Sequence, residues 1–132
     1  MQIEFFAPMA KVPTATHQMQ AVSVVKGKPV FYEPPAVKAA RDKLMTAVHP
    51  HKPAEPIQGP VRLFVKWCFP IVGKHRNGEY RATKPDTDNL QKLLKDVMTT
   101  AGYWTDDAQV VAEICEKFWA DKPGLYIAVE EV

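Results

Sequence analysis

At 132 residues and 46% hydrophobic content, the chain is long enough to bury a real core and is expected to fold as one domain over residues 1–132. No secretory leader is expected, no apolar run is long enough to cross a bilayer as a helix, and Cys68 and Cys115 lack zinc-ligand spacing, so buried free thiols in a cytoplasmic protein are expected. The net charge of +2 conceals a split, with 13 Lys/Arg against 5 Asp/Glu in residues 1–84 and 4 against 10 in residues 85–132, a balance suited to holding a long polyanion beside a cation-recruiting site.

Ile3, Phe5 and Phe6 predict a short first strand, and Pro8 to Gln20 lacks periodicity and reads as a loop. Ala21–Val25 and Val30–Tyr32, joined across Lys26-Gly27-Lys28-Pro29, predict a hairpin whose basic tip offers Lys26 and Lys28 for phosphate contact. Glu33-Pro34-Pro35 opens a helix with Val37, Ala40, Leu44 and Val48 on one face and Lys38, Arg41 and Lys43 on a solvated one. His49 and His51 then begin a proline-rich loop; with no third ligand at useful spacing they read as surface histidines. Val61, Leu63, Val65, Trp67 and Phe69 alternate with Arg62, Phe64, Lys66 and Cys68, which predicts a strand with its odd-numbered side in the core. The loop from Gly73 to Gly78 carries Lys74, His75 and Arg76 and leads through Arg81 to Lys84 and the acidic stretch that follows, making Lys74, Arg76, Arg81 and Lys84 candidates for holding a polyanion's phosphates.

The next stretch, Lys84-Pro85-Asp86-Thr87-Asp88-Asn89-Leu90, carries two carboxylates two residues apart. Asp88 is expected to cap the following helix, with Gln91 completing an Asp-x-x-Gln capping box. Leu90, Leu93, Leu94, Val97, Met98 and Ala101 predict that helix over about residues 89–101, stopped by Gly102, with Asp88, Lys92 and Asp96 stacked along its exposed side. Asp106 and Asp107 stand at the entrance to a strand patterned by Val110, Ala112, Ile114 and Phe118 and interrupted by Glu116. A strand returning along the helix would carry one of this second pair towards Asp86 and Asp88. Converging aspartates suit a hard divalent ion such as Mg²⁺, whereas separate pairs would be no more than a cap and a turn. An EF-hand is a poorer match, because its sixth and twelfth positions fall on Gln91 and Val97. A last strand alternates Leu125, Ile127 and Val129, and Trp104 and Trp119 read as core. The order predicts a compact α+β domain with a mixed or antiparallel β-sheet covered by two main helices.

The stretch from Lys84 to Leu90, taken with Lys92, Asp96, Gly102-Tyr103-Trp104 and Asp106-Asp107-Ala108-Gln109-Val110, resembles the RusA family of Holliday-junction resolvases of phages and prophages. The close match covers about residues 84 to 119, with a looser one over most of the rest. The resemblance implies a RusA-like fold and a homodimeric endodeoxyribonuclease of DNA recombination and repair that nicks four-way junctions. It implies Mg²⁺, with Mn²⁺ as a substitute, no organic cofactor, and the cytoplasm of a bacterial or phage-infected cell. Carried over residue by residue, Asp86, Asp88 and Asp107 would be catalytic and metal-binding, Lys92 the catalytic lysine, and Asp106 a further acidic position beside the metal. The family's N-terminal basic residues have only Lys11 and His17 as counterparts here. A nuclease for flaps or forks, a junction-binding protein that does not cut, and a hydrolase of small phosphates are the alternatives.

Overall fold

The computed structural model describes residues 1–16 and 21–132; the end of the expected N-terminal loop, with His17, lies outside the described residues. The elements are β1 (Gln2–Pro8), β2 (Ala21–Val25), β3 (Lys28–Tyr32), α1 (Pro35–Val48), β4 (Val61–Pro70), α2 (Thr87–Ala101), β5 (Val110–Ala120) and β6 (Gly124–Glu131). The alternation at residues 61–69 makes β4 the centre of a four-stranded sheet ordered β1-β6-β4-β5. Every odd-numbered side chain of β4 from Val61 to Phe69 is buried, as are Leu125, Ile127 and Val129 of β6. The predicted apolar faces of both helices enter the same core: Val37, Ala40, Leu44 and Val48 from α1, and Leu90, Leu93, Leu94, Val97, Met98 and Ala101 from α2.

The sheet is mixed. β6 pairs antiparallel with β1 and β4, whereas β5 pairs parallel with β4. A parallel neighbour requires a crossover, and α2 supplies it, running back over the sheet between the two strands. β5 is therefore an edge strand. Its period-two pattern places it correctly as a strand, but the edge leaves Val111 and Ile114 64% and 51% exposed. Trp104 and Trp119 are buried, as expected.

The hairpin β2–β3 forms its own two-stranded sheet. Lys26 and Gly27 both have positive φ, the signature of a type I′ turn, so β3 starts at Lys28 rather than Val30. His49–His51 is a 3₁₀ turn in which His51 stacks on Phe5 with ring centroids 4.0 Å apart, a packing role for one of the two histidines. Cys68 and Cys115 are free but only half-buried. Burial raises the Cys68 thiol above its usual range, and burial together with the Glu113 carboxylate pushes Cys115 up to about 12.

Gly124 is where β6 meets the end of β1. A Cβ there would stand 2.3 Å from the carbonyl oxygen of Ala7, on backbone that cannot swing aside. Gly124→Ala is expected to cost about 2–3 kcal/mol through overpacking, read as a lowered urea midpoint at unchanged m-value.

Candidate active site

The first acidic pair sits at the start of α2, but not as the capping pattern predicts. The helix begins at Thr87, which makes Asp86 the N-cap, and no side chain caps it. Gln91 is turned inward and buried, where its Oε1 accepts from the Trp67 indole N–H at 2.9 Å and its Nε2 donates to Glu113 at 3.2 Å. A buried indole N–H needs an acceptor, and that demand outweighs a capping bond at a solvated helix end. Lys95 donates to the other Glu113 oxygen at 3.0 Å, so this network fastens α2 to β4 and β5. Asp86 and Asp88 are consequently exposed carboxylates without a hydrogen-bond or ion-pair partner among the described residues, and Lys92, one turn on, is equally exposed. Asp96, a further turn along, approaches Arg41 of α1 at 3.9 Å.

The segment leading into Asp86 is held from β5. Gly78 N–H donates to Trp119, Trp119 N–H to Glu79 and Arg81 N–H to Lys117, at 2.8, 2.8 and 2.9 Å, which lays residues 78–81 along the outer edge of the strand's C-terminal part. The Lys117 ammonium then donates to the carbonyls of Thr83 and Pro85, both at 2.7 Å. Arg81 works inward as well: it donates to the Lys84 carbonyl at 2.6 Å and stacks over Phe69 and Trp119. Burial pulls its pKa down. It thus shapes the loop more than it projects from it. Lys84, which precedes a cis peptide to Pro85, and Lys74 and Arg76 are exposed, while His75 stacks on Trp119 and pairs with Glu79. Thr14, Thr16, Arg81, Lys84, Asp86 and Asn89 line an open cleft of about 570 Å³, bringing basic and acidic groups together. Lys26 and Lys28 are exposed at the hairpin tip, outside that lining.

The second acidic pair divides its labour. Asp106 caps a 3₁₀ turn, Asp107–Gln109, by accepting from Ala108 N–H at 2.9 Å. Gln109 uses its whole amide: Oε1 accepts from the N–H groups of Thr105 and Asp106 at 2.9 and 3.0 Å, and Nε2 donates to the carbonyls of Ile57 and Gly59 at 2.7 and 3.1 Å. Asp107 is left exposed, with no hydrogen-bond or ion-pair partner among the described residues.

The two pairs do not meet within one chain. They lie at opposite ends of α2, whose 15 residues span roughly 22 Å at ~1.5 Å each. β5 gives a similar measure: from Val110 to Lys117, the residue that reaches the Asp86 loop, the strand advances roughly 23 Å. The returning strand thus delivers Lys117, not Asp107, to the first pair. Among the described residues no three His, Cys, Asp or Glu side chains are grouped to hold a metal ion. Lys117 carried no sequence signal, being one lysine in an exposed-looking strand, whereas Gln109 stood in the motif without an evident task.

The family model for endodeoxyribonuclease RusA matches residues 8–130. The chain is 33% identical to the crossover junction endodeoxyribonuclease rusA of Lactococcus phage r1t over the full length of both. It is 29% identical to Bacillus subtilis YqaN over 83% of this chain and 84% of that protein. A 26-residue segment, 20% of this chain and 22% of the relative, is 65% identical to the crossover junction endodeoxyribonuclease RusA of Escherichia coli K12.

Proposed function

Since this chain belongs to the RusA family of endodeoxyribonucleases, we propose that it resolves Holliday junctions by paired, symmetric nicks in the DNA backbone. The observation that carries the site is the pair Asp86 and Asp88, two exposed carboxylates without a hydrogen-bond or ion-pair partner among the described residues, beside Lys92 and after a segment held by Lys117. Acceptor-only oxygens with no internal cation bound to them are the donor set Mg²⁺ prefers, and Mn²⁺ would substitute. When bound, the ion supplies water activation and charge neutralisation at the scissile phosphate. Asp86 and Asp88 would hold it from the helix start. Lys92 would face the phosphate and offset charge developing on it, and Lys84, Lys74 and Arg76 would bind the flanking backbone.

Asp107 would complete the metal site from a second copy of the chain. One chain separates it from Asp86 by a helix length, whereas a homodimer can offer the Asp107 of each copy to the other. Two such sites related by a two-fold axis match the two equivalent strands of a four-way junction. Among the described residues no helix is long and apolar enough to cross a membrane, in keeping with work on DNA in the cytoplasm of a bacterial or phage-infected cell.

Labelled four-way junction, 5′-flap and linear duplex, each with Mg²⁺ or EDTA, test this reading. Paired nicks on the junction alone, abolished by EDTA, are expected. Preference for the flap would make the chain a general branched-DNA nuclease, and tight junction binding without nicking would make it a binding protein only.

A further inference from the structure

The basic loop before Asp86 is tied down at every residue from His75 to Glu79. Trp119 of β5 anchors it three times: its carbonyl accepts from Gly78 N–H at 2.8 Å, its N–H donates to the Glu79 carbonyl at 2.8 Å, and its indole carries the His75 ring, 4.4 Å away and 10° from parallel. His75 is held at its edge as well, since Nδ1 pairs with the Glu79 carboxylate. Arg76 offers its carbonyl to Glu79 N–H at 3.1 Å, and the Asn77 side chain accepts from Asp121 N–H at 2.8 Å. The side chains of Lys74 and Arg76 are what this leaves over. Both are exposed, and neither has a hydrogen-bond or ion-pair partner among the described residues.

We propose that His75 is a positioning residue: seated on Trp119 and held by Glu79, it presents Lys74 and Arg76 as a fixed grip on the DNA backbone and so sets which phosphate reaches Asp86 and Asp88. This role rests on the nuclease reading above and fixes the place of the cut. Phosphate contacts carry register rather than sequence, so two cations at a constant offset from the scissile site act as a ruler. β5 supplies the constancy. Lys117 holds the segment entering Asp86, and Trp119, about 7 Å further along at ~3.3 Å per residue, seats the loop. Both residues are themselves paired to β4. His75 lies between the two cations in the chain, so freeing its ring frees both at once. Because the loop is ordered in folding, DNA meets a grip whose conformational entropy is already lost, which favours binding in one register.

A labelled four-way junction with a fixed branch point, nicked in Mg²⁺ and read at single-nucleotide resolution, tests this role. The parent is expected to cut at one offset from the branch point. His75→Ala should spread the nicks over neighbouring phosphates and weaken junction binding in EDTA by about 10-fold, near the upper effect of losing one stacked aromatic pair. The slope of affinity against salt should stay as in the parent, because both cations remain. His75→Phe, which keeps the stack, should return the single offset. Lys74→Ala combined with Arg76→Ala should instead flatten the salt slope by about two units. Nicks at the parent offset in His75→Ala, whether or not its melting temperature falls, would make His75 structural only and overturn the proposal while leaving the nuclease reading intact. A salt slope unchanged in the Lys74 and Arg76 double variant would overturn it as well. A parent that neither binds nor cuts the junction overturns both readings.

Discussion

Asp88→Asn is expected to lower junction nicking by about 10³-fold, the equivalent of roughly 4 kcal/mol in the transition state. The substitution keeps shape and volume but replaces one anionic oxygen with an amide that donates rather than accepts. Asp88 has no partner among the described residues and lies on solvent, so nothing internal is lost. Stability should move by no more than about 0.5 kcal/mol, the usual range for such a surface change, with a small part from the lost charge at the helix N-terminus. Thermal unfolding and junction binding in EDTA should match wild type, while Mg²⁺ titration by calorimetry should weaken sharply. A variant that nicks at near wild-type rate would remove Asp88 from the site.

Lys117→Met is expected to reduce nicking by about 10–100-fold without touching a catalytic group. Its ammonium makes two charge-assisted bonds, to Thr83 and Pro85, and each such bond is worth about 1.5–3 kcal/mol when both partners are well placed. Their loss would free the segment that aims Asp86 while leaving the Arg81 contacts to hold its general course. The loss should therefore appear in kcat with junction affinity little changed, and Lys117→Arg should recover part of it. An equal fall in affinity with kcat intact would make Lys117 a DNA contact instead.

Much of this fold is legible wherever one face of an element is buried and the other is wet. Val61 to Phe69 alternate because β4 has helices against one face only, and the helical spacings of α1 and α2 mark their core stripes for the same reason. β5 is harder to read. At the sheet edge its apolar residues are not all core residues, so Ile114 stands in the period-two pattern but faces solvent. Its parallel pairing with β4, and the placing of β6 between β1 and β4, join segments far apart in the chain that no local pattern specifies. The same limit applies to the site. Asp86, Asp88 and Lys92 form a local group visible as a motif, but Gln91 resembles a capping residue until the buried indole of Trp67 claims it. Asp106 and Asp107 look like a matched pair until one proves to cap a turn. Which end of α2 they occupy depends on the direction of β5, and that decides whether one chain can complete the site.

The most direct test of the account mixes two inactive variants, Asp88→Asn and Asp107→Asn, after co-refolding to allow exchange of chains. If each site takes Asp86 and Asp88 from one copy and Asp107 from the other, random mixed dimers carry one intact site. Junction nicking should then return to about a quarter of the wild-type site number, as single rather than paired nicks, while each variant alone stays inactive. A mixture as inactive as its components, in a preparation shown by mass to contain mixed dimers, would place all three aspartates in one chain and contradict the shared site.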